Sequence, residues 1–236
     1  MSAFEILNNV DHKDLRIIQG QPASYGDAIH CCPAYTFEFR DLQNHFPLLL
    51  QEHGEGGFVP VALMGFEEQE NLFIEQNEWT VTRPPAFILK GPFLIGTKQD
   101  ENGQQIRLMS VDMAHPRVSR EQGTALFQPL GGRTDYLEQT ANLLENIFNG
   151  ADATKRFTAA LDSLGLIESV TLDITLKYGS KNQLLGFYTI NEELLKQLSG
   201  EQLAGLSGEG FLMPLFMMLA SLSNFAKMIK LKEARI

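Results

Sequence analysis

Hydrophobic and polar positions alternate with a period of two along much of the first half of the chain. Between Ala34 and Arg40 an aromatic residue occupies every second position, which is typical of a strand with one buried face. The mostly apolar run Phe58–Phe66 predicts a buried strand, and Asn71–Glu75 predicts a shorter one. The runs Phe93–Lys98 and Gln105–Met113 flank an Asn-Gly pair, which is a strong signal for a β-hairpin.

The apolar spacing becomes helical after about residue 130. Thr134 is in position to cap a helix that reaches Phe148, and Gly150 is expected to end this helix. Asp152 is expected to cap a second helix that ends at Gly165. We therefore predict two helices in this region.

A further β-hairpin is predicted after these helices. Its strands, 170–177 and 183–189, alternate between apolar and polar residues. Thr189 and Glu192 have the spacing of a capping box, which predicts a helix through Leu198.

The last predicted helix extends from Met213 to Lys230. Its expected inward face carries Leu215, Leu219, Leu222, Ala226 and Ile229. The apolar stretch Phe211–Ala220 is too short to span a bilayer and is interrupted by a proline, so we expect a core helix and no integral membrane segment. Alternatively, the methionines of this helix line an adaptable groove for a partner; these are Met213, Met217 and Met218.

Together these patterns predict an α+β fold. A β-rich N-terminal half with hairpins, at about residues 30–120, precedes a helical C-terminal half, at about residues 134–236, that contains one further β-hairpin. We expect all 236 residues to form a single domain. The N-terminal residues do not resemble a secretory signal, so the expected location is cytoplasmic.

Acidic residues outnumber basic ones by 29 to 19, which gives a net charge of −10 and argues against nucleic acid as the main partner. The segment Asp41–Thr82 contains eight acidic residues and no Lys or Arg. Within it, Glu67, Glu68 and Glu70 are candidate contacts for a basic protein or peptide partner. The alternative is a solvated acidic face.

Common catalytic and cofactor motifs do not occur in the chain. It has no Gly-x-Ser-x-Gly nucleophile elbow and no Gly-x-Gly-x-x-Gly dinucleotide motif. A P-loop requires Lys followed by Ser or Thr, whereas Thr97 here precedes Lys98. None of the five histidines has the spacing of a known metal site. We therefore expect no bound metal and no cofactor.

Five polar or aromatic residues are nevertheless candidates for lining a pocket: His30, His45, Trp79, Asp112 and His115. Asp112 and His115 lie three residues apart, so the carboxylate has the spacing to orient the imidazole as a general base. The alternative, which we favour, is a turn in which Asp112 accepts hydrogen bonds from loop amides.

Several short motifs occur together between His12 and Ile229. In chain order they are His12-Lys-Asp-Leu-Arg16, Glu38-Phe39, His45-Phe46-Pro47, Val61-Ala-Leu-Met-Gly65, Glu70-Asn-Leu-Phe73, Trp79, Pro85-Ala-Phe87, Pro92-Phe93, Asp112 to Ser119, Gly123, Leu126-Phe127, Leu185 to Leu194 and Ser221 to Phe225. In this order and spacing the chain resembles the SapC-like protein family over nearly its whole length.

The resemblance implies an association with a bacterial surface layer. Similar proteins tend to be encoded beside TonB-dependent receptors and flavin-dependent tryptophan-halogenase-like proteins, and the family brings no established catalytic residues. The first hypothesis is a non-catalytic binding or accessory protein linked to a surface-layer or nutrient-uptake locus. The second is an enzyme or enzyme subunit that works with a halogenase-like flavoprotein on a peptide or aromatic substrate. The third is a structural component of a surface layer.

Overall fold

The computed structural model describes residues 3–54, 57–99, 103–175 and 181–235. The strands are β1 (Phe4–Ile6), β2 (Arg16–Ile17), β3 (Cys31–Pro33), β4 (Leu48–His53), β5 (Gly57–Leu63), β6 (Ile74–Glu75), β7 (Glu78–Trp79), β8 (Phe93–Gln99), β9 (Gln105–Asp112), β10 (Val118–Ser119), β11 (Thr124–Ala125), β12 (Ile167–Thr175) and β13 (Lys181–Ile190). The helices are α1 (Phe39–Leu42), α2 (Ala86–Leu89), α3 (Asp135–Ser163), α4 (Glu192–Lys196), α5 (Gly200–Gly208), α6 (Leu212–Ser221) and α7 (Asn224–Glu233).

The predicted α+β class is confirmed by this arrangement. Antiparallel strands dominate the first half, and helices dominate the second half apart from the β12–β13 hairpin. The largest sheet has five strands in the order β12-β13-β4-β5-β3, so the late hairpin extends a sheet that the first half begins. A second sheet has the order β1-β9-β8.

Both predicted hairpins are confirmed, although Asn102 of the Asn-Gly pair lies outside the described residues. β8 and β9 pair from Phe93 opposite Val111 to Gln99 opposite Gln105. β12 and β13 pair over most of their length with one register shift, and the turn that joins them lies outside the described residues. Both pairs of strands are antiparallel, as a hairpin requires.

The strand predicted over Ala34–Arg40 is wrong. The segment forms a 3-10 turn at Thr36–Glu38 that continues into α1. The carboxylate of Glu38 accepts a hydrogen bond from the Tyr35 amide at 3.0 Å, which closes the turn. Phe39 is buried whereas Phe37 remains 46% exposed, so the alternating aromatic residues do not share one buried face.

The two helices predicted around Gly150 are a single helix. α3 spans 29 residues, with Thr134 as its N-cap as predicted, and continues through Gly150. A Cβ atom at Gly150 would lie 2.6 Å from the ring of Phe37, so the glycine allows close packing rather than ending the helix. Gly165 follows the true end of α3 in a left-handed conformation.

The predicted start of α4 is also corrected. Asn191, rather than Thr189, caps this helix by accepting a hydrogen bond from the Leu194 amide at 2.9 Å. Thr189 belongs to β13. The next helix, α5, was not predicted, although Ser199 and Gln202 form a capping box at its start.

The long last helix predicted over Met213–Lys230 consists of α6 and α7, which are separate. Around the break, Ser223 donates to the Ala220 carbonyl at 2.9 Å and Asn224 donates to the Gln43 carbonyl at 2.7 Å. Such side-chain bonds compete with helical backbone bonds. The buried positions include Leu215, Met218, Ser221 and Met228, whereas the predicted inward residue Ala226 is exposed.

The segment Leu212–Glu233 is long and apolar enough, by length and composition alone, to cross a membrane. A core helix of a soluble protein meets the same criteria. In this chain the segment is divided into α6 and α7, and both helices contribute buried side chains to the core around the five-stranded sheet. Of the 18-residue window that meets these criteria, 33% is buried inside the folded chain.

α3 contributes to two hydrophobic clusters. Its first half supplies Leu137 and Leu144 to a cluster with the β1-β9-β8 sheet. Its second half supplies Phe157 and Leu161 to the larger cluster around the five-stranded sheet. Because the helix runs continuously past Gly150, it also forms one wall of the surface grooves described below.

Candidate functional site

An open, partly apolar depression lies between the Thr36–Leu42 segment, α3 and the start of α6. We call it the methionine groove, and it has a volume of about 400 Å³. Its apolar lining residues include Phe37, Phe39, Phe211, Met213 and Met217. Phe37 and Met213 are 46% and 52% exposed, so the groove presents unburied apolar surface.

Local packing fixes the walls of the groove. The Thr36 amide donates to the Thr154 hydroxyl at 3.0 Å, which attaches the 3-10 turn to α3. The Phe37 ring then lies against Gly150 and stacks on Tyr35 at a centroid distance of 5.9 Å. The wall formed by Phe37 is therefore held in place before any partner binds, whereas methionine side chains adapt to the shape of what contacts them.

Two arginines at the edge of the groove differ in their ion pairing. Arg156 forms ion pairs with Asp152 at 3.4 Å and with Glu209 at 3.0 Å. Arg40 is exposed, and its guanidinium donates to the Met213 sulfur at 3.7 Å. No carboxylate among the described residues pairs with Arg40. In the part of the chain that the structure describes, the groove therefore combines apolar walls with an arginine that forms no ion pair.

Of the five residues predicted to line a pocket, Trp79 lies in a smaller cleft of about 140 Å³. Its indole N–H donates to Asp27 at 3.2 Å, and the same carboxylate oxygen accepts from Arg117 at 3.0 Å. We call this the aspartate–arginine cleft; it is lined by Pro22, Asp27, Trp79, Ile88, Arg117 and Tyr136. Asp27 and Arg117 were not among the predicted site residues, because they are 90 residues apart and no spacing in the sequence connects them.

The polar groups of this cleft are largely satisfied within the protein. Arg117 also donates to the carbonyls of Ile18 at 3.1 Å and Gly20 at 2.8 Å, and its guanidinium lies over the Tyr25 ring. The side chains of Asp27 and Arg117 are only 13% and 11% exposed. Through these bonds, Arg117 connects the segment between β2 and β3 to the start of β10.

Asp112 and His115 adopt the turn alternative. Asp112 accepts hydrogen bonds from the amides of Ala3 and Ala114, each at 3.0 Å, while the His115 ring nitrogen Nδ1 accepts from the Arg117 amide at 3.1 Å. Burial, followed by the nearby charge of Arg117, lowers the pKa of His115 below its ordinary value. The Asp112 carboxylate therefore binds loop amides and does not orient the His115 imidazole.

His30 and His45 lie elsewhere. His30 accepts hydrogen bonds at its backbone carbonyl from Met64 and Gly65. His45 packs against the Phe46 ring, and burial together with Lys227 lowers its pKa. The structure therefore does not gather the five predicted residues into one pocket.

The candidate partner contacts Glu67, Glu68 and Glu70, which we call the acidic cluster, are partly neutralised by α7. Lys232 donates to Glu67 at 2.8 Å and to Glu70 at 2.6 Å, whereas Glu68 is exposed. Burial lowers the pKa of Lys232, but the two carboxylates outweigh burial and keep it above its ordinary value. Arg235 adds bonds to the carbonyls of residues 71, 72 and 74. A basic partner would therefore meet glutamates of which two already bind a cation.

Glu38 is a buried carboxyl that sequence analysis did not select. It is 8% exposed, and its oxygens accept from the Tyr35 amide at 3.0 Å and the Ala86 amide at 2.8 Å. Burial raises its pKa to about 7 even though both hydrogen bonds act in the opposite direction. The carboxyl thus changes charge near neutral pH.

This titration makes stability depend on pH. Because folding raises the pKa of Glu38 from 4.5 to about 7, the folded state binds more protons than the unfolded state between those values. We expect Glu38 to lower the free energy of unfolding as pH rises through this window, by at most about 1.4 kcal/mol per pH unit. Urea titrations of wild type and Glu38→Gln at several pH values should show this contribution as their difference. A constant difference from pH 4.5 to 7.5 would contradict the assignment.

Metal ligands are not grouped in the described part of the chain, where no set of three or more His, Cys, Asp or Glu side chains is placed to hold an ion.

A family model described as SapC matches residues 7–228 of the 236-residue chain. Neither a curated protein nor a solved structure matches the chain.

Proposed function

This chain belongs to the SapC family. We propose that it is a non-catalytic binding protein whose methionine groove binds an apolar side chain of a partner protein. In the partner's sequence, this apolar residue is next to an acidic residue. One observation carries the proposal: Phe37 and Met213 leave apolar surface exposed in a single groove, at whose edge Arg40 has no counter-ion among the described residues. The partner is thus defined by chemistry that complements both features.

The apolar part of the interaction supplies most of the affinity. Burying one large apolar side chain contributes about 1.5–3 kcal/mol. A groove of about 400 Å³ accommodates such a side chain, and the methionine side chains adjust around it. Several sequences of similar shape are therefore expected to bind.

The charged part of the interaction supplies selectivity. A carboxylate beside the apolar residue accepts charge-assisted hydrogen bonds from the Arg40 guanidinium. The net charge of −10 repels an acidic partner at long range, but salt screens exposed charges beyond about 8 Å at physiological ionic strength. The contact with Arg40 is shorter than this distance, so local complementarity decides which segment binds.

The proposed biological role is that of an accessory protein in the cytoplasm, linked to a surface-layer or nutrient-uptake locus. Its proposed partners are a tryptophan-halogenase-like flavoprotein or a component of a TonB-dependent uptake system. Membership of the SapC family supports this context, and the groove supports protein binding. An enzymatic role has weaker support, because the polar groups of the aspartate–arginine cleft already bind one another.

A peptide selection tests the proposal. Immobilised protein is exposed to a displayed library of random dodecapeptides, and we expect enrichment of a large apolar residue next to Asp or Glu. When the Arg40→Glu variant is the target, the enriched peptides should carry Lys or Arg instead of Asp or Glu beside the apolar residue. The reason is that the substitution inverts the charge at the edge of the groove. Unchanged preferences on this variant, or no enrichment on wild type, would contradict the proposal.

Matched methionine and phenylalanine variants locate the binding surface. The double variant Met213→Ser and Met217→Ser should weaken binding of an enriched peptide by roughly tenfold or more, as loss of an anchor contact does. Phe216 is 52% exposed on the same helix but does not line the groove, so Phe216→Ser should bind like wild type. Equal losses in both proteins, measured by fluorescence anisotropy, would place binding elsewhere.

A further inference from the structure

A second cleft, which we call the Glu38 cleft, shares Phe37 with the methionine groove. It lies between the Thr36–Leu42 segment, the Arg83–Leu89 segment and α3, and its volume is about 400 Å³. Its lining includes Phe37, Glu38, Leu42, Leu89, Leu143 and Asn146. A carboxyl group is thus placed among mainly apolar walls.

No cation among the described residues pairs with the Glu38 carboxylate. Each of its oxygens accepts one amide hydrogen bond, whereas a carboxylate has about four acceptor positions. The described titratable neighbours that interact with it are acids: Asp41 on α1, Tyr35 before it and Cys32 on β3. Arg83, the cation that lines the same cleft, pairs with Asp41.

The surroundings of Glu38 favour a ligand with an apolar stem. Leu89 and Phe37 are 50% and 46% exposed and both line the cleft. The ion pair of Asp41 with Arg83 is exposed on both sides, and such pairs contribute little stability, so Asp41 can exchange its partner. A cation that enters the cleft would therefore meet two carboxylates and apolar walls.

We infer that the Glu38 cleft binds a primary ammonium group carried on a short apolar stem, as a free alkylamine or a lysine side chain presents it. The ammonium donates hydrogen bonds to the Glu38 carboxylate, and the stem packs against Leu89 and Leu143. This site is distinct from the methionine groove, and its test does not depend on the proposed partner.

Binding of the ammonium is coupled to protonation of Glu38. An alkylammonium remains charged throughout the neutral range, because amines of the lysine type have a pKa of about 10.4. The Glu38 carboxyl is raised to a pKa of about 7, so it is increasingly protonated and neutral as pH falls below that value. Because the ionised carboxylate is the form that binds, affinity should fall by roughly tenfold for each pH unit below 7.

Calorimetric titration of the full chain with two probes tests the inference. Hexylamine represents the free alkylamine, and Nα-acetyl-lysine N-methylamide represents the lysine side chain. At pH 8 we expect saturable binding of at least one probe at one site, and at pH 6 roughly tenfold weaker binding. Hexanol has the same stem without the charge and should bind much more weakly. Absence of saturable binding for both amines, or binding that is independent of pH, would overturn the inference.

Two substitutions test whether the amine binds in the Glu38 cleft. Glu38→Gln should abolish binding, but it also changes a buried hydrogen-bond acceptor that supports the 3-10 turn. Leu143→Phe fills the cleft without altering the carboxyl and should weaken amine binding by tenfold or more. Leu194 is 41% exposed and does not line the cleft, so Leu194→Phe is the matched control. Undiminished binding to Leu143→Phe would overturn the inference even if Glu38→Gln fails to fold.

Discussion

Replacing Phe157 by alanine is expected to lower the free energy of unfolding by about 3–5 kcal/mol, the usual effect of truncating a buried aromatic residue. Phe157 is completely buried, and its ring makes edge-to-face contacts with Phe39 and Phe211 at 6.1 and 5.7 Å. These contacts join α3 to α1 and to the start of α6. The substitution therefore creates a cavity where the walls of the methionine groove meet.

Urea unfolding followed by circular dichroism measures this effect. The matched control is Phe216→Ala, which removes the same atoms from a side chain that is 52% exposed. We expect this variant to lower the free energy of unfolding by no more than about 0.5 kcal/mol. Similar losses for the two variants would show that α3 does not hold the core together as described.

Replacing Arg117 by methionine is expected to lower the free energy of unfolding by about 3 kcal/mol or more, because a buried carboxylate loses its ion-pair partner. Asp27 is 13% exposed and would keep the Trp79 indole as a donor, while the carbonyls of Ile18 and Gly20 lose the guanidinium. The aspartate–arginine cleft is in this view a structural connection.

A double-mutant cycle separates this interaction from general damage. Adding Asp27→Asn to Arg117→Met should recover part of the loss, because it removes the unpaired charge. Arg156 pairs with two carboxylates, one more than Arg117, but is 57% exposed, so Arg156→Met should cost less than about 1 kcal/mol. Additive losses in the cycle, or an equal loss for Arg156→Met, would refute the buried pair as the cause.

The sequence predicts elements whose partners are close along the chain. The β8–β9 hairpin follows from two neighbouring runs around an Asn-Gly pair, the β12–β13 hairpin follows from alternation, and the start of α3 follows from Thr134 as a cap. The segment Ala34–Arg40 has the same alternation but folds differently, since Glu38 binds the amide of Ala86, 48 residues away. Local patterns do not contain such distant contacts.

The candidate sites show the same limit. The methionines of α6 were recognised as a potential partner groove, but Phe37 and Arg40 join it only because α3 passes beside them. The acidic cluster was visible in the sequence, whereas Lys232 reaches Glu67 from 165 residues away. A contact of this kind becomes apparent only once the chain is folded.

The most direct test of the methionine groove is a titration of protein labelled with ¹³C at the methionine methyl groups. The chain has eight methionines, and an enriched peptide is added while each methyl resonance is followed by NMR. We predict saturable shifts for Met213 and Met217, with little change for Met64, which is buried in the core around the five-stranded sheet. Shifts confined to Met109 and Met113, beside the β1-β9-β8 sheet, would contradict the account and place the partner on a different surface.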